Sequence, residues 1–110
     1  MTKKVKRKPR RRVNKLKTER ARKLKELSLR VRERDKLQCQ YCGHKGKYLS
    51  CHHCLPKLKY KQFMYDDNVC ITLCRKCHFC LAEHDGLKFY AWLMEKKPEI
   101  WNYCRERIEI

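Results

Sequence analysis

Cys39-Gln40-Tyr41-Cys42-Gly43 and Cys74-Arg75-Lys76-Cys77-His78 are the two stretches that decide how this chain folds. Each carries a C-x-x-C pair, and such a turn can place two sulfurs about 2.3 Å from one zinc ion. Two turns complete a closed tetrahedral site, so Cys39, Cys42, Cys74 and Cys77 are the expected ligands of a structural Zn²⁺. The separation from Cys42 to Cys74 is long for a simple zinc ribbon. The insert must therefore be structured itself, and a strand pair held at its base by the metal is expected.

Working outward, Tyr48-Leu49-Ser50-Cys51-His52-His53 suits a strand, and Pro56 ends it or keeps it at an edge. A basic loop over 57–67 carries Tyr60, Phe63 and Tyr65. Asn68-Val69-Cys70-Ile71-Thr72-Leu73 contains β-branched residues and reads as the second strand. A helix should follow the second knuckle to about Glu83 and stop near Asp85-Gly86. Upstream, residues 14–36 are rich in Lys, Arg, Leu and Glu and lack Gly and Pro, which favours a helix. Leu24, Leu27 and Val31 give it a narrow apolar stripe for docking. Downstream, Leu87, Tyr90, Ala91 and Met94 share one helical face, with Phe89, Trp92 and Leu93 nearby. Pro98 begins a last helix carrying Trp101, Cys104 and Ile108. Aromatic residues at helical spacing are assigned to packing rather than to base stacking. The expected architecture is a small zinc-stapled α+β fold: a basic arm and helix over 1–30, a core over 31–86 and a helical extension over 87–110.

Composition supports a staple. The chain has 110 residues, of which 38% are charged, and cysteine and tyrosine inflate its 42% hydrophobic content. Cores this small often need a metal or disulfides. Nine cysteines could suggest disulfides, but the number is odd, no apolar leader follows Met1, and the spacing is that of metal ligands. A reduced, intracellular chain is expected, with no run near the ~18 apolar residues of a membrane span. Cys51-x-x-Cys54 and Cys77-x-x-Cys80 offer further pairs, so a second zinc or a shifted ligand set stays open. Cys70 and Cys104 read as small buried hydrophobes.

The formal net charge is +18, and it is lopsided. Residues 1–34 hold 17 Lys/Arg against 3 Glu, whereas the remainder holds 13 against 9 acids. A field of this kind favours a polyanion, most simply nucleic acid, with an affinity that falls steeply with salt. Lys6, Arg7, Lys8, Arg10, Arg11 and Arg12 in the arm, with Lys57, Lys59 and Lys61 in the basic loop, are the expected backbone contacts.

C-x-x-C-G, then H-H-x-x-P, then an Asn before a strand, then C-x-x-C-H resembles the HNH endonucleases, the zinc-bearing ββα-metal nucleases. Val31-Arg32-Glu33-Arg34-Asp35 resembles the lead-in such domains carry, and the likeness spans about half the chain. The resemblance implies a ββα-metal core and hydrolysis of DNA phosphodiester bonds. It implies His53 as general base, His52 and His78 as ligands of a catalytic Mg²⁺, Mn²⁺ or other divalent ion, and Asn68 as the residue that steadies the loop. The chemistry of the residues is compatible. Neighbours in a strand face opposite sides, so His52 and His53 invite a split of labour. An imidazole titrates near neutrality and can take a proton from water. Two positions depart from the family pattern. Val69 stands where the Asn is usual, with Asn68 one residue earlier, and Ala82 stands where some members carry another His. His84 falls on a different helical face and is left out of the site.

Free-standing HNH proteins of phages and mobile elements are similar in size, which implies a cytoplasmic or nucleoid setting, including a phage-infected cell. With no specificity domain in view, a protein partner could direct the enzyme. The alternatives are a non-catalytic zinc-stapled binder of DNA or RNA, and an interaction module using the aromatic C-terminal helices.

Overall fold

A computed structural model describes residues 15–108, with side chains from Lys17 onward. The arm residues Lys6, Arg7, Lys8, Arg10, Arg11 and Arg12 lie outside the described residues. Helix α1 (Lys15–Arg34) leads into the first knuckle, and strand β1 (Leu49–His53) follows. Strand β2 (Cys70–Cys74), a π-helical segment (Cys77–Glu83), α2 (Gly86–Lys96) and α3 (Pro98–Arg107) complete the chain. Among the described residues the result is a small α+β fold whose two strands form one antiparallel sheet.

The register fixes what each sheet face presents. His53 is opposite Cys70, His52 opposite Ile71, and Cys51 opposite Thr72. Side chains alternate along a strand, so Cys51, His53, Cys70 and Thr72 share one face while His52, Ile71 and Leu73 share the other. Helix α1 covers the first face by its expected stripe: Leu27 and Val31 are fully buried, and the Thr72 hydroxyl donates to the Val31 carbonyl at 3.3 Å. Phe89 of α2 is buried against the second face, where its ring meets His52 edge-on.

Three elements differ from expectation. β2 begins at Cys70, because Asp66 caps a 3-10 turn over Asp67–Val69 by accepting the Asn68 N–H at 2.9 Å. Asp side chains favour such local turns over strand pairing. The helix after the second knuckle is π-helical, with i→i+5 bonding. In α2 the buried face is Phe89 and Leu93, with Tyr90 and Trp92 packed beside them. The expected Leu87 and Met94 are 86% and 53% exposed. Tyr41 selects this face, because its ring meets Trp92 at 4.9 Å and draws α2 onto the first knuckle. At the α2–α3 junction Pro98 occupies the first turn of α3, where its missing N–H removes no helical bond. Among the described residues no helix is long and apolar enough to cross a membrane.

Candidate metal centres

The two knuckles meet. The ligand atoms of Cys39, Cys42, Cys74 and Cys77 all lie within 4.8 Å of one another, and the Cys42 and Cys74 sulfurs are 3.6 Å apart. Tetrahedral Zn–S bonds of about 2.3 Å set sulfurs roughly 3.8 Å apart, so the tetrad needs little adjustment to hold zinc. Each knuckle is built by its backbone. Gly43 adopts a φ of 81°, which glycine accepts without strain, and its N–H donates to the Cys39 carbonyl at 3.0 Å. The Cys77 N–H points at the Cys74 sulfur at 3.4 Å. Burial opposes ionisation of Cys39, but N–H groups of Cys42, Cys74 and Tyr41 outweigh it and hold the thiol down at about 7. Thiolates are the ligating form, so these amides prepare the site. Cys39, Cys42, Cys74 and Cys77 could thus bind a structural zinc.

A second constellation joins β1 to the π-helix. The ring centroids of His52 and His78 are 5.2 Å apart. Burial, reinforced by the nearby His78 and His53, pushes the His52 pKa down to about 4, so the ring is neutral at pH 7. Its Nε2 is buried and has no hydrogen-bond partner among the described residues. Such an orphan costs about 1–3 kcal/mol, and a cation at this nitrogen would give it a partner. His78 Nδ1 lies 3.7 Å from a Glu83 carboxylate oxygen. That pairing at i, i+5 follows from the π-helix. A carboxylate behind an imidazole is the usual second layer of a histidine metal ligand. Two imidazoles could supply at most part of an ion's coordination shell here.

His53 stands on the other face. Its Nε2 is 2.8 Å from the Met64 carbonyl. A carbonyl only accepts, so Nε2 carries the proton and the neutral ring keeps its lone pair at Nδ1. Burial lowers the His53 pKa, Lys57 adds to this, and the Met64 bond opposes it. Cys51 and Cys70 are its neighbours in a cluster whose ligand atoms lie within 4.8 Å of one another.

The structure thus brings His52 to His78 and the four tetrad cysteines together, and it places His53 with Cys51 and Cys70. Asn68 is exposed, and its backbone N–H donates to Asp66, whose carboxylate also accepts from the Tyr103 hydroxyl. His84 packs on Phe79 with centroids 4.4 Å apart, outside the His52–His78 pair. Lys57, Lys59 and Lys61 are exposed on the loop after β1. The loop before β2 is held by Arg34 and Asp35, which the resemblance placed in the lead-in without giving them a role. Arg34 pairs with Asp35 and donates to the carbonyls of Asp67 at 2.8 Å and Cys70 at 2.7 Å. Asp35 in turn accepts the Thr72 N–H at 2.9 Å. Glu83 was also missed, since at α-helical spacing it would not face His78.

No protein-family model, curated protein or solved structure matches the chain. Fold and site define a class on their own terms: a small α+β protein tied by a cysteine tetrad that could hold zinc.

Proposed function

We propose that the protein is a metal-dependent endonuclease of the HNH type, hydrolysing DNA phosphodiester bonds. The observation that carries this reading is the orphaned, buried Nε2 of His52, whose ring lies 5.2 Å from that of His78. His52 and His78 would hold Mg²⁺, Mn²⁺ or another divalent cation, whose charge would offset the negative charge that gathers on the scissile phosphate. The resemblance gives the general-base role to His53, whose tautomer the Met64 carbonyl fixes with the lone pair at Nδ1; because His53 lies on the sheet face opposite His52, it would have to reach the attacking water around the end of β1. Lys57, Lys59 and Lys61 would position the DNA backbone without reading its sequence. Arg34 and Asp35, which hold the loop preceding β2, would do the steadying that the resemblance gives to Asn68.

One observation favours the non-catalytic nucleic-acid binder. His53 lies with Cys51 and Cys70 on the sheet face opposite His52, so the base and metal-ligand candidates do not share one side of the sheet. Nicking of supercoiled plasmid with Mg²⁺ or Mn²⁺ separates the two readings. Wild type is expected to nick, and His53→Ala to be slower by about 10²–10⁴-fold, the usual contribution of a positioned base. Equal rates at matched zinc content, or no nicking by wild type, would leave only the binder.

A further inference from the structure

We propose that Cys51, His53 and Cys70 form a second site for a thiophilic divalent ion, Zn²⁺ above all, on the sheet face opposite His52. The three ligand atoms lie within 4.8 Å of one another, and none belongs to the cysteine tetrad. Strand register brings them together. His53 pairs directly with Cys70, and Cys51 is two residues along β1 on the same face. Directly opposed side chains have Cβ atoms about 4.5–5.5 Å apart, which is the spacing two ligands of one ion require. Tetrahedral N/S ligands sit roughly 3.5–3.8 Å apart, so closing the cluster takes movements of about an ångström or less.

The surroundings suit an ion. Cys51 and His53 are half-buried, which leaves a path from solvent, while Cys70 is fully buried and anchors the floor. The Arg34 guanidinium donates to the Cys70 carbonyl at 2.7 Å and so places a positive charge beside the two sulfurs. The Cys70 thiol is shared between Cys51 and the Asp66 carbonyl at 3.5 Å, and this pairing and burial raise its pKa, so an ion that binds here has to displace that proton. Two thiolates and one imidazole select zinc or cobalt over magnesium, which prefers oxygen ligands. Three protein ligands leave a fourth position for water.

One consequence rests on the nuclease reading, although the site itself does not. A neutral imidazole has a single lone pair, so a His53 ring spent on zinc cannot accept a proton from water. Zinc at this cluster would then silence hydrolysis while zinc at the tetrad maintains the fold.

Cobalt titration of the metal-free full-length protein tests the site. Thiolate-to-cobalt charge-transfer absorption counts only sulfur-ligated ions, so an imidazole-only site contributes nothing. The expected result is two sulfur-ligated cobalt ions per chain in wild type. Cys51→Ser and His53→Gln should each retain the full tetrad spectrum, which reports folding, and lose the second ion's sulfur band. One sulfur-ligated ion in wild type, or a second ion undisturbed in both variants, would overturn the proposal. A protein that binds two such ions yet never nicks DNA keeps this site and refutes the nuclease. A protein that nicks DNA and binds one refutes this site alone.

Discussion

At the cysteine tetrad every donor is matched by three others, whereas at the His52–His78 pair a buried nitrogen has no partner. Both draw on the segment running from β2 into the π-helix, which supplies Cys74 and Cys77 to the tetrad and His78 to the pair, and ring contacts run from His52 through Phe89 and Trp92 to Tyr41 of the first knuckle. The difference is one of completeness. Four convergent sulfurs make a closed site that can only hold the chain together. Two imidazoles backed by one carboxylate would leave positions open on any ion they held, and the proposed chemistry depends on such positions.

The largest expected effect falls on the closed site. Removing zinc with a strong chelator, or substituting Cys39→Ser, should unfold the protein, since structural zinc sites carry about 10–16 kcal/mol of apparent binding free energy at pH 7. Far-ultraviolet circular dichroism checks this, and an unchanged spectrum after complete zinc removal would break the contrast between the two sites. Next comes the packing between them. Phe89 is fully buried and meets His52 edge-on at 5.2 Å. Phe89→Ala should cost about 3–5 kcal/mol in urea denaturation, the usual range for a buried phenylalanine. It should also free the His52 ring, which an imidazole ¹⁵N spectrum would register.

A smaller effect sharpens the contrast through pH. The folded His52 pKa, about 4, is below the unfolded value near 6.5. Between these values the unfolded chain binds the extra proton, so this contribution is fully present above pH 6.5 and is lost as pH falls toward 4. The span corresponds to at most about 3 kcal/mol. Replacing the ring by His52→Leu should flatten that part of the acid-stability profile relative to wild type. Identical profiles between pH 4 and 6.5 would show that the ring is not held neutral by burial.

Much of this was legible in the sequence where spacing alone decides geometry. The two C-x-x-C turns, the α1 stripe of Leu24, Leu27 and Val31, and the strand character of both inner segments follow from local chemistry. What escaped depends on partners distant in sequence or on an unusual helical pitch. Phe89 and Leu93 displace Leu87 and Met94 from the core because Tyr41 meets Trp92. Glu83 reaches His78 because the helix carries i→i+5 bonds. Cys70 joins His53 because the strand register puts them opposite, although Cys70 read as a mere buried hydrophobe. The Arg34–Asp35 clamp uses backbone carbonyls over 30 residues away, which no motif spacing encodes.

The openness of the His52–His78 pair is the central claim, and manganese binding measures it directly. With zinc held in the tetrad, Mn²⁺ added to the full-length protein should lose free-ion electron paramagnetic resonance signal to one weak site per chain. That site should vanish in His52→Ala while the zinc content stays unchanged. Wild type and His52→Ala taking up Mn²⁺ equally, or neither taking it up, would contradict it.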